Sequence, residues 1–296
     1  MSKEKVVPHI CFDRVVPANL DPHAKEHKAA LDQFAAVVRD HAVRTGKVSA
    51  KATFGEHAAA IGNLPELSAT DGPIYHSRMA LINIKKWDPG HQLTCCFLDG
   101  DNTQQQKVME KAKIWEQYAD VHIDFGDDPS SEVRISFEAD PGSWSAVGKD
   151  CLVTAYFPKN EPTMNFGWLT DDTEDNEYER VVVHEFGHAL GCIHEHQSPN
   201  EKLQWNVDAV YKAFSGPPNN WSKDEIDQNI LQKYSPAGIS ATTFDRKSIM
   251  LYQFDASLFL NHVGTPLNYH LSHKDETMIG KMYGPPTVSK KKAKIA

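Results

Sequence analysis

The sequence lacks a long hydrophobic run, an excess of positive charge and a secretory signal. No apolar stretch approaches the roughly 20 residues of a transmembrane helix, so we expect no membrane span. The formal net charge of −9 argues against nucleic acid as a partner, because phosphates attract basic surfaces. Residues 1–9 contain neither a long apolar core nor a small-residue cleavage site, so they do not predict a signal peptide.

Cysteine is also scarce, and its spacing predicts neither a disulfide framework nor a thiolate metal site. The count is odd, no Cys-x-x-Cys pair occurs, and the five residues are Cys11, Cys95, Cys96, Cys151 and Cys192. We expect buried free thiols, which favour a reducing compartment. The sequence therefore predicts a cytoplasmic or non-classically secreted protein, although a mature secreted form stays open.

The first part of the chain, residues 1–84, has no motif that indicates chemistry. Residues 1–20 read as irregular, and Asp21-Pro22 begins a predicted helix that runs to about Arg44. Residues 45–84 are rich in glycine and proline and read as a connector. Two interpretations stay open for residues 1–84, a pro-segment or an accessory subdomain.

The next part, residues 85–285, has the patterning of a mixed α and β domain in an ordinarily globular chain that we expect to be a monomer. Helical periodicity covers residues 103–119, and two later helices are predicted at about 221–234 and 274–283. Alternating or compact apolar runs predict strands at residues 92–98, 121–125, 133–137, 152–157 and 163–169. Residues 286–296 form a lysine-rich tail, most simply read as a solvated end.

One segment carries a candidate metal site, because it reads His184-Glu185-x-x-His188-x-x-Gly191-x-x-His194. On a helix, His184 and His188 lie one turn apart and project from the same face. Gly191 can end that helix in a left-handed turn that brings His194 back to the same point. Three imidazoles and an open fourth position are typical of catalytic zinc, and Glu185 beside them can accept a proton from the attacking water.

Histidine is common in this chain, so the motif has to be compared with the number of such motifs expected by chance. There are 15 histidines among 296 residues, and a pair such as His23 and His27 indicates little. Five specified residues within eleven positions are expected by chance on the order of once in ten thousand chains of this length. The full motif therefore favours a metal site over a solvated helix.

The helical wheel around this motif separates two faces. His184 and His188 point about 140° away from the centre of the apolar sector. The helix can therefore bury its back against a sheet while its ligands face a cleft. The apolar sector contains Tyr178, Val181, Val182, Phe186, Ala189, Leu190 and Ile193.

With these residues in view, the chain resembles the metzincin zinc endopeptidases, and among them the astacin family with its bacterial and fungal relatives. The zinc motif is followed by Glu195-His196, and Ser248-Ile249-Met250-Leu251-Tyr252 resembles the family's Met-turn. Leu271-Ser272-x-x-Asp275 resembles the end of the catalytic domain. The resemblance implies an α+β fold, a twisted mixed sheet with two long helices above the cleft and a mostly irregular lower part.

The resemblance also implies roles for single residues. Met250 would form a hydrophobic floor under the ligands, and Tyr252 would be the mobile tyrosine that contacts the metal at rest and the intermediate during turnover. The counterpart of Glu195 contacts an amino terminus exposed by activation; here no cleavage point is evident, so a local partner is the other reading. Residues 54–56, Phe-Gly-Glu, are only a faint echo of the family's inhibitory pro-segment motif.

These observations predict a zinc-dependent endopeptidase that acts on proteins or peptides. His184, His188 and His194 would bind one Zn²⁺, Glu185 would be the general base, and Tyr252 would stabilise the oxyanion. Residues 152–157 are the candidate edge strand for an extended peptide. Two alternatives are a zinc-binding protein without catalysis and a zinc hydrolase of a non-protein amide.

Overall fold

The structure is a computed structural model, and it describes residues 11–14, 16, 20, 85–139, 142–198, 200–216, 219–233 and 243–287. The chain divides into two compact units, one made of Met1–Val16, Lys86–Lys233 and Thr242–Ala296, the other of Pro17–Lys85 and Tyr234–Ala241. Only Leu20 and Lys85 of the second unit are described, so the account below concerns the first. Several predicted features lie outside the described residues: the helix at 21–44, the connector at 45–84 with the tripeptide at 54–56, and most of the basic tail.

A six-stranded mixed sheet organises this unit, as the sequence predicted. Its strands are β1 (Phe12–Arg14), β2 (Gln92–Phe97), β3 (His122–Phe125), β4 (Val133–Ser136), β5 (Ser143–Ala146) and β6 (Met164–Phe166). They lie in the order β1-β5-β6-β4-β2-β3. All neighbours pair in parallel except β5 and β6, which are antiparallel. Strands β4, β5 and β6 are buried on both faces rather than half-buried, because helices and loops cover the sheet.

Two long helices accompany this sheet, the second packing on its strands and the first packing against the second, and shorter helices follow in the second half. Their bounds are α1 Asn102–Ala112, α2 Asp175–Ala189, α3 Val207–Phe214, α4 Lys223–Ile226 and α5 His273–Tyr283. Capping boxes begin three of them, with Asp101, Ser222 and Ser272 as the caps. Among the described residues, no helix combines the length and apolarity needed to cross a bilayer.

Helix α2 carries the metal motif and is buried on nearly every side. Three aromatic side chains hold its carbonyl groups: Trp115 Nε1 donates to Val183 O at 3.0 Å, Trp87 Nε1 to Ala189 O at 2.8 Å, and Tyr283 OH to Leu190 O at 2.7 Å. The bonds to Ala189 O and Leu190 O satisfy carbonyl groups at the helix end, where the helix itself offers no amide. The bond to Val183 O holds the helix one turn earlier.

Several predicted elements need correction. The predicted helix at 103–119 ends at Ala112 and is followed by a 3₁₀ turn at Trp115–Gln117. The predicted strand at 152–157 is wrong: a 3₁₀ helix spans Gly148–Leu152, and the amides of Tyr156 and Phe157 both donate to Val153 O at 2.9 Å. Those local bonds coil the backbone, so a compact apolar run was not enough to make a strand. The helix expected at 221–234 ends at Leu231 as a π-helical turn.

The sheet edge is also not where the sequence placed it. Strand β5 flanks β6 on its outer side, and β1 then pairs with β5. The sequence of β5, Ser-Trp-Ser-Ala, has small residues at three of its four positions and does not stand out as a strand. Residues 12–14, expected to be irregular, gain their strand conformation only from this pairing.

The first unit has two contrasting regions, which we call the sheet region (residues 86–193) and the loop region (residues 194–233 and 243–287). The loop region is largely irregular, as predicted, and side chains bond to its backbone. Thr265 Oγ1 accepts from Phe254 N at 2.6 Å, and Asn268 Nδ2 donates to the carbonyl groups of Arg246 and Ser248 at 3.0 and 2.9 Å. All five cysteines are free and buried, which confirms that expectation.

Candidate metal centre

The end of helix α2 turns the chain back toward its own histidines. Gly191 has φ of +87°, a left-handed conformation that costs glycine little. Cys192 N donates to Gly187 O at 2.9 Å and Gly191 N to His188 O at 2.7 Å, the paired bonds of a Schellman motif. The predicted turn is therefore present, and it directs residues 192–194 back across the helix end.

Three imidazoles meet at one point as a result. The Nε2 atom of His188 lies 3.2 Å from that of His184 and 3.0 Å from that of His194, and the His184–His194 distance is 3.3 Å. All three side chains are buried, with at most 3% of each residue exposed. The sequence expected them to face a cleft, whereas here the ligand face of the helix is covered.

The other ring nitrogens hold the imidazoles in one tautomer. Nδ1 of His184 lies 2.8 Å from Ile249 O, and Nδ1 of His188 lies 2.9 Å from Cys192 O. Because a carbonyl oxygen only accepts, both Nδ1 atoms carry the proton and both Nε2 atoms present lone pairs. Nδ1 of His194 lies 3.4 Å from Gln197 Oε1, which favours the same tautomer. Such outer partners are typical of metal-binding histidines.

This arrangement fits a zinc ion. For Zn–N bonds of about 2.0–2.1 Å, ligand nitrogens of a tetrahedral site stand about 3.3–3.4 Å apart, close to the separations found here. Burial, reinforced by the neighbouring histidines, lowers the pKa of His184 and of His194 well below the usual value. The rings are therefore neutral at physiological pH, and a cation relieves the repulsion between three converging lone pairs.

Glu185 lies beside the histidines and is fully buried. One of its carboxylate oxygens, a ring nitrogen of His184 and the Cys11 sulfur lie within 4.8 Å of one another. Burial raises the pKa of the Cys11 thiol well above its usual value, and the negative charge of Glu185 adds to this. The structure thus places a second, partly overlapping group of ligand atoms next to the three imidazoles.

The segment predicted to be a Met-turn passes directly under the helix. Gly187 makes room for it, because a methyl group at that position would lie 2.6 Å from Met250 Sδ. The turn is held by Asp275, whose buried carboxylate accepts from Ser248 Oγ at 2.7 Å, Ile249 N at 2.9 Å and Ser272 N at 2.9 Å. Asp275, noted in the sequence only for its resemblance, is thus the main anchor of the turn.

Tyr252 leaves this turn and reaches the metal centre. Its ring centroid is 4.2 Å from that of His194 and 5.7 Å from that of His184. The residue is 7% exposed, and its hydroxyl group donates to the carbonyl oxygen of Cys11. The structure therefore brings Tyr252 to the site that the sequence predicted for it, with the hydroxyl group engaged by the N-terminal strand.

Two neighbouring residues have local roles. Glu195 Oε1 accepts from Asp245 N at 2.7 Å, and burial raises the pKa of its carboxyl group to about 7. His196 packs with Nε2 at 3.1 Å from Asn229 O and belongs to neither group of candidate ligands, and burial lowers its pKa to about 4. The sequence analysis missed Cys11, since no spacing rule relates a single cysteine to a motif more than 170 positions away.

Comparison with known proteins agrees with this geometry. The model of the family described as Astacin, a peptidase family, matches residues 80–292. Two solved structures of myroilysin are similar. One is 36% identical, covers 69% of this chain and 97% of its own, and has a TM-score of 0.66; the other is 37% identical, with coverages of 67% and 86% and a TM-score of 0.54.

A more distant match is the high choriolytic enzyme 1, a hatching enzyme zinc-protease from the medaka fish Oryzias latipes. It is 15% identical and covers 69% of this chain and 96% of its own, with a TM-score of 0.47. No curated protein matches the chain. The family match spans well over half of the chain and includes the three-histidine centre. The chain therefore belongs to the astacin family of peptidases and is a zinc metalloendopeptidase.

Proposed function

We propose that this protein hydrolyses internal peptide bonds of proteins at a single zinc ion held by His184, His188 and His194. The observation that carries the proposal is the convergence of three imidazole nitrogens, 3.0–3.3 Å apart, beside a buried carboxylate. A bound zinc ion supplies Lewis-acid polarisation of the scissile carbonyl group and lowers the pKa of water from 15.7 to about 7.

Glu185 is the proposed general base. It accepts a proton from the attacking water and passes that proton to the nitrogen of the departing amine. Its position supports this role, since helix α2 places its carboxylate next to the histidines without requiring it as a ligand. The surrounding burial keeps bulk water from competing for the proton.

Tyr252 is the proposed donor to the oxyanion that forms on the scissile carbonyl group. Its ring packs on His194, which holds the side chain beside the candidate ligands. That hydroxyl group already donates to a peptide carbonyl oxygen, that of Cys11. A donor poised to bond a carbonyl oxygen at this place suits the developing negative charge.

Strand β5 is the proposed docking edge for the substrate. An extended peptide can add to an open sheet edge through backbone hydrogen bonds. The inner side of β5 pairs with β6 and its outer side pairs with the three-residue strand β1, so a substrate strand would take the place of β1 there. This proposal replaces the predicted edge at residues 152–157. We further propose that residues 85–285 are the catalytic domain and that residues 1–84 are either a pro-segment or an accessory subdomain.

The decisive experiment compares the parent chain with Glu185→Gln on unfolded casein. We expect a loss of about 10²- to 10⁴-fold in rate, because proton transfer is removed while the zinc ligands stay. Glu110→Gln, a change at an exposed position of helix α1, is the matched control and keeps the parental rate. Zinc content is measured for all three proteins and is expected to be one ion per chain.

Other outcomes reject the proposal. Equal rates for the parent and Glu185→Gln would place the activity elsewhere. Stoichiometric zinc without any hydrolysis would indicate an inactive binding protein. Cleavage of lipid or cell-wall amides without peptide turnover would indicate a hydrolase of non-protein amides.

A further inference from the structure

Directly after the third candidate ligand, the chain forms a 3₁₀ helical turn at Glu195–Gln197. Gln197 N donates to His194 O at 3.1 Å across this turn. In a 3₁₀ helix, side chains three positions apart lie over one another. The Gln197 side chain therefore lies beside the His194 ring, with Oε1 at 3.4 Å from Nδ1. Both residues are buried, with 3% and 1% of their surface exposed.

A second contact decides which way the Gln197 amide faces. Its Nε2 atom donates to Gln228 O at 2.7 Å. Because a carbonyl oxygen only accepts, the amide nitrogen has to face Gln228, and the amide oxygen then faces His194. An amide oxygen only accepts as well, so this contact requires the proton of His194 to be on Nδ1. The lone pair of Nε2 is thereby directed to the metal centre.

The acceptor for Gln197 belongs to the end of another helix. A π-helical turn at Asp227–Leu231 ends that helix. The last carbonyl groups of a helix have no amide of their own helix, so they take other donors. Gln228 O takes Gln197 Nε2 in this way, and the next carbonyl group, Asn229 O, takes His196 Nε2 at 3.1 Å. This helix end therefore supports two consecutive side chains beside the metal centre.

We propose that Gln197 is a positioning residue for His194: its amide oxygen fixes the ring and its tautomer, and the helix end at Asp227–Leu231 holds the amide in place. This inference rests on the proposed function of the three-histidine site. Outer partners of this kind orient a ligand imidazole and raise its basicity. His184 and His188 use main-chain carbonyl oxygens for the purpose, whereas His194 uses a side chain, which a substitution can change.

Glutamine suits this position because one amide offers both an acceptor and a donor. Methionine has a similar length and forms neither bond, so Gln197→Met removes both contacts. Glutamate accepts from His194 but sets a carboxylate oxygen against Gln228 O, so Gln197→Glu removes only the second contact. The two substitutions therefore separate the bond to the ring from the bond to the helix end.

The test is NMR spectroscopy of the imidazole N–H groups in the full-length chain at saturating zinc, with isotopically labelled histidine. In Gln197→Met, we expect the Nδ1–H signal of His194 to shift and to exchange faster with water. The signals of His184 and His188 should stay unchanged, because carbonyl oxygens hold those rings. Zinc affinity, measured by competition with a chelator, should fall about 10- to 100-fold.

Gln228→Met is the matched control for this substitution. The Gln228 side chain is exposed, and the carbonyl group that accepts from Gln197 stays in the backbone. We therefore expect the parental histidine signals and the parental zinc affinity in Gln228→Met. A loss of zinc affinity as large as that of Gln197→Met would contradict a specific role of the Gln197 amide.

The outcomes separate this inference from the proposed function. A parental His194 signal and parental zinc affinity in Gln197→Met would overturn the positioning role and leave the protease intact. A parent chain that binds one zinc ion but hydrolyses no peptide would reject the proposed function alone, and one that binds no zinc would overturn both. If Gln197→Met does not fold, Gln197→Glu decides. Its His194 Nδ1–H signal should move, because a carboxylate accepts that proton, and an unmoved signal would refute the inference.

Discussion

The sheet region and the loop region reach the metal centre by different physical means. In the sheet region, repeating backbone bonds of parallel strands and helix α2 position His184, Glu185 and His188. In the loop region, single side chains such as Asp275 and Thr265 hold irregular backbone that presents Met250 and Tyr252. The first kind of order is spread over many equivalent bonds, and the second depends on a few buried polar groups.

This difference indicates which substitutions should destabilise the site most. Loss of one bond in a helix or sheet leaves its neighbours in place, whereas loss of one anchor in irregular backbone leaves several buried donors without an acceptor. The centre needs both regions, because His194 begins the loop region and meets two histidines of helix α2. Four changes test this comparison, in decreasing order of expected effect.

Asp275→Ala should be the most damaging. It removes the acceptor for Ser248 Oγ, Ile249 N and Ser272 N in a buried place, and we expect a loss of about 3–5 kcal/mol in the free energy of unfolding. Denaturant unfolding measures it, with Asp224→Ala at an exposed position as the control. A loss below about 1 kcal/mol would mean that the loop region does not depend on single anchors.

Removal of the metal should come next, since zinc joins the two regions. An ion present at about 100 times its dissociation constant stabilises the folded state by about 2.7 kcal/mol. A chelator should therefore lower the thermal midpoint of the parent chain, and added zinc should restore it. The thermal midpoint of His194→Ala should change much less on addition of chelator. An equal change in both proteins would contradict the claim that the metal links the two regions through His194.

Tyr252→Phe tests a loop-region group that acts in catalysis rather than in folding. The ring stacking on His194 is kept, and only the hydroxyl group is lost. We expect kcat to fall about 10- to 100-fold, equivalent to about 1.4–2.7 kcal/mol, with little change in KM. Steady-state kinetics of Tyr252→Phe and of the parent chain on the same peptide substrate measure the change. An unchanged kcat would remove Tyr252 from the mechanism.

Gly187→Ala should have the smallest effect, at the contact between the two regions. The added methyl group gains helix propensity but lies 2.6 Å from Met250 Sδ and 3.2 Å from Trp115. We expect a net destabilisation of about 1 kcal/mol, because the thioether has to move. Pairing the change with Met250→Ala makes the contact measurable, as the double variant should lose less than the sum of the single ones.

The sequence predicted the sheet region well where the pattern is periodic. Strands β2, β3, β4 and β6 and helix α2 lie where alternation and helical spacing placed them. It failed where long-range pairing decides the conformation. The residues of β5 carry little strand preference and become a strand beside β6, whereas residues 152–157 form a compact apolar run but coil through local bonds.

The residues of the candidate site also differ in whether local sequence spacing or long-range contacts relate them. Spacing alone relates His184, Glu185, His188 and Gly191, since one helix and one left-handed turn connect them. The roles of Met250 and Tyr252 were predicted from the family resemblance, whereas the hydrogen bonds that hold their segment are seen only in the structure. Cys11 was not found, because its approach depends on β1 pairing with a strand about 130 residues later.

By itself, the sequence determined the metal-binding helix, the family and the chemistry, because ligand identity and helical period are local properties of consecutive residues. Only the tertiary structure decided which edge of the sheet is available, which polar groups hold the Met-turn, and that the N-terminal cysteine enters the centre. Those features join residues far apart in the chain, and their free energy comes from burial and pairing that no local pattern records.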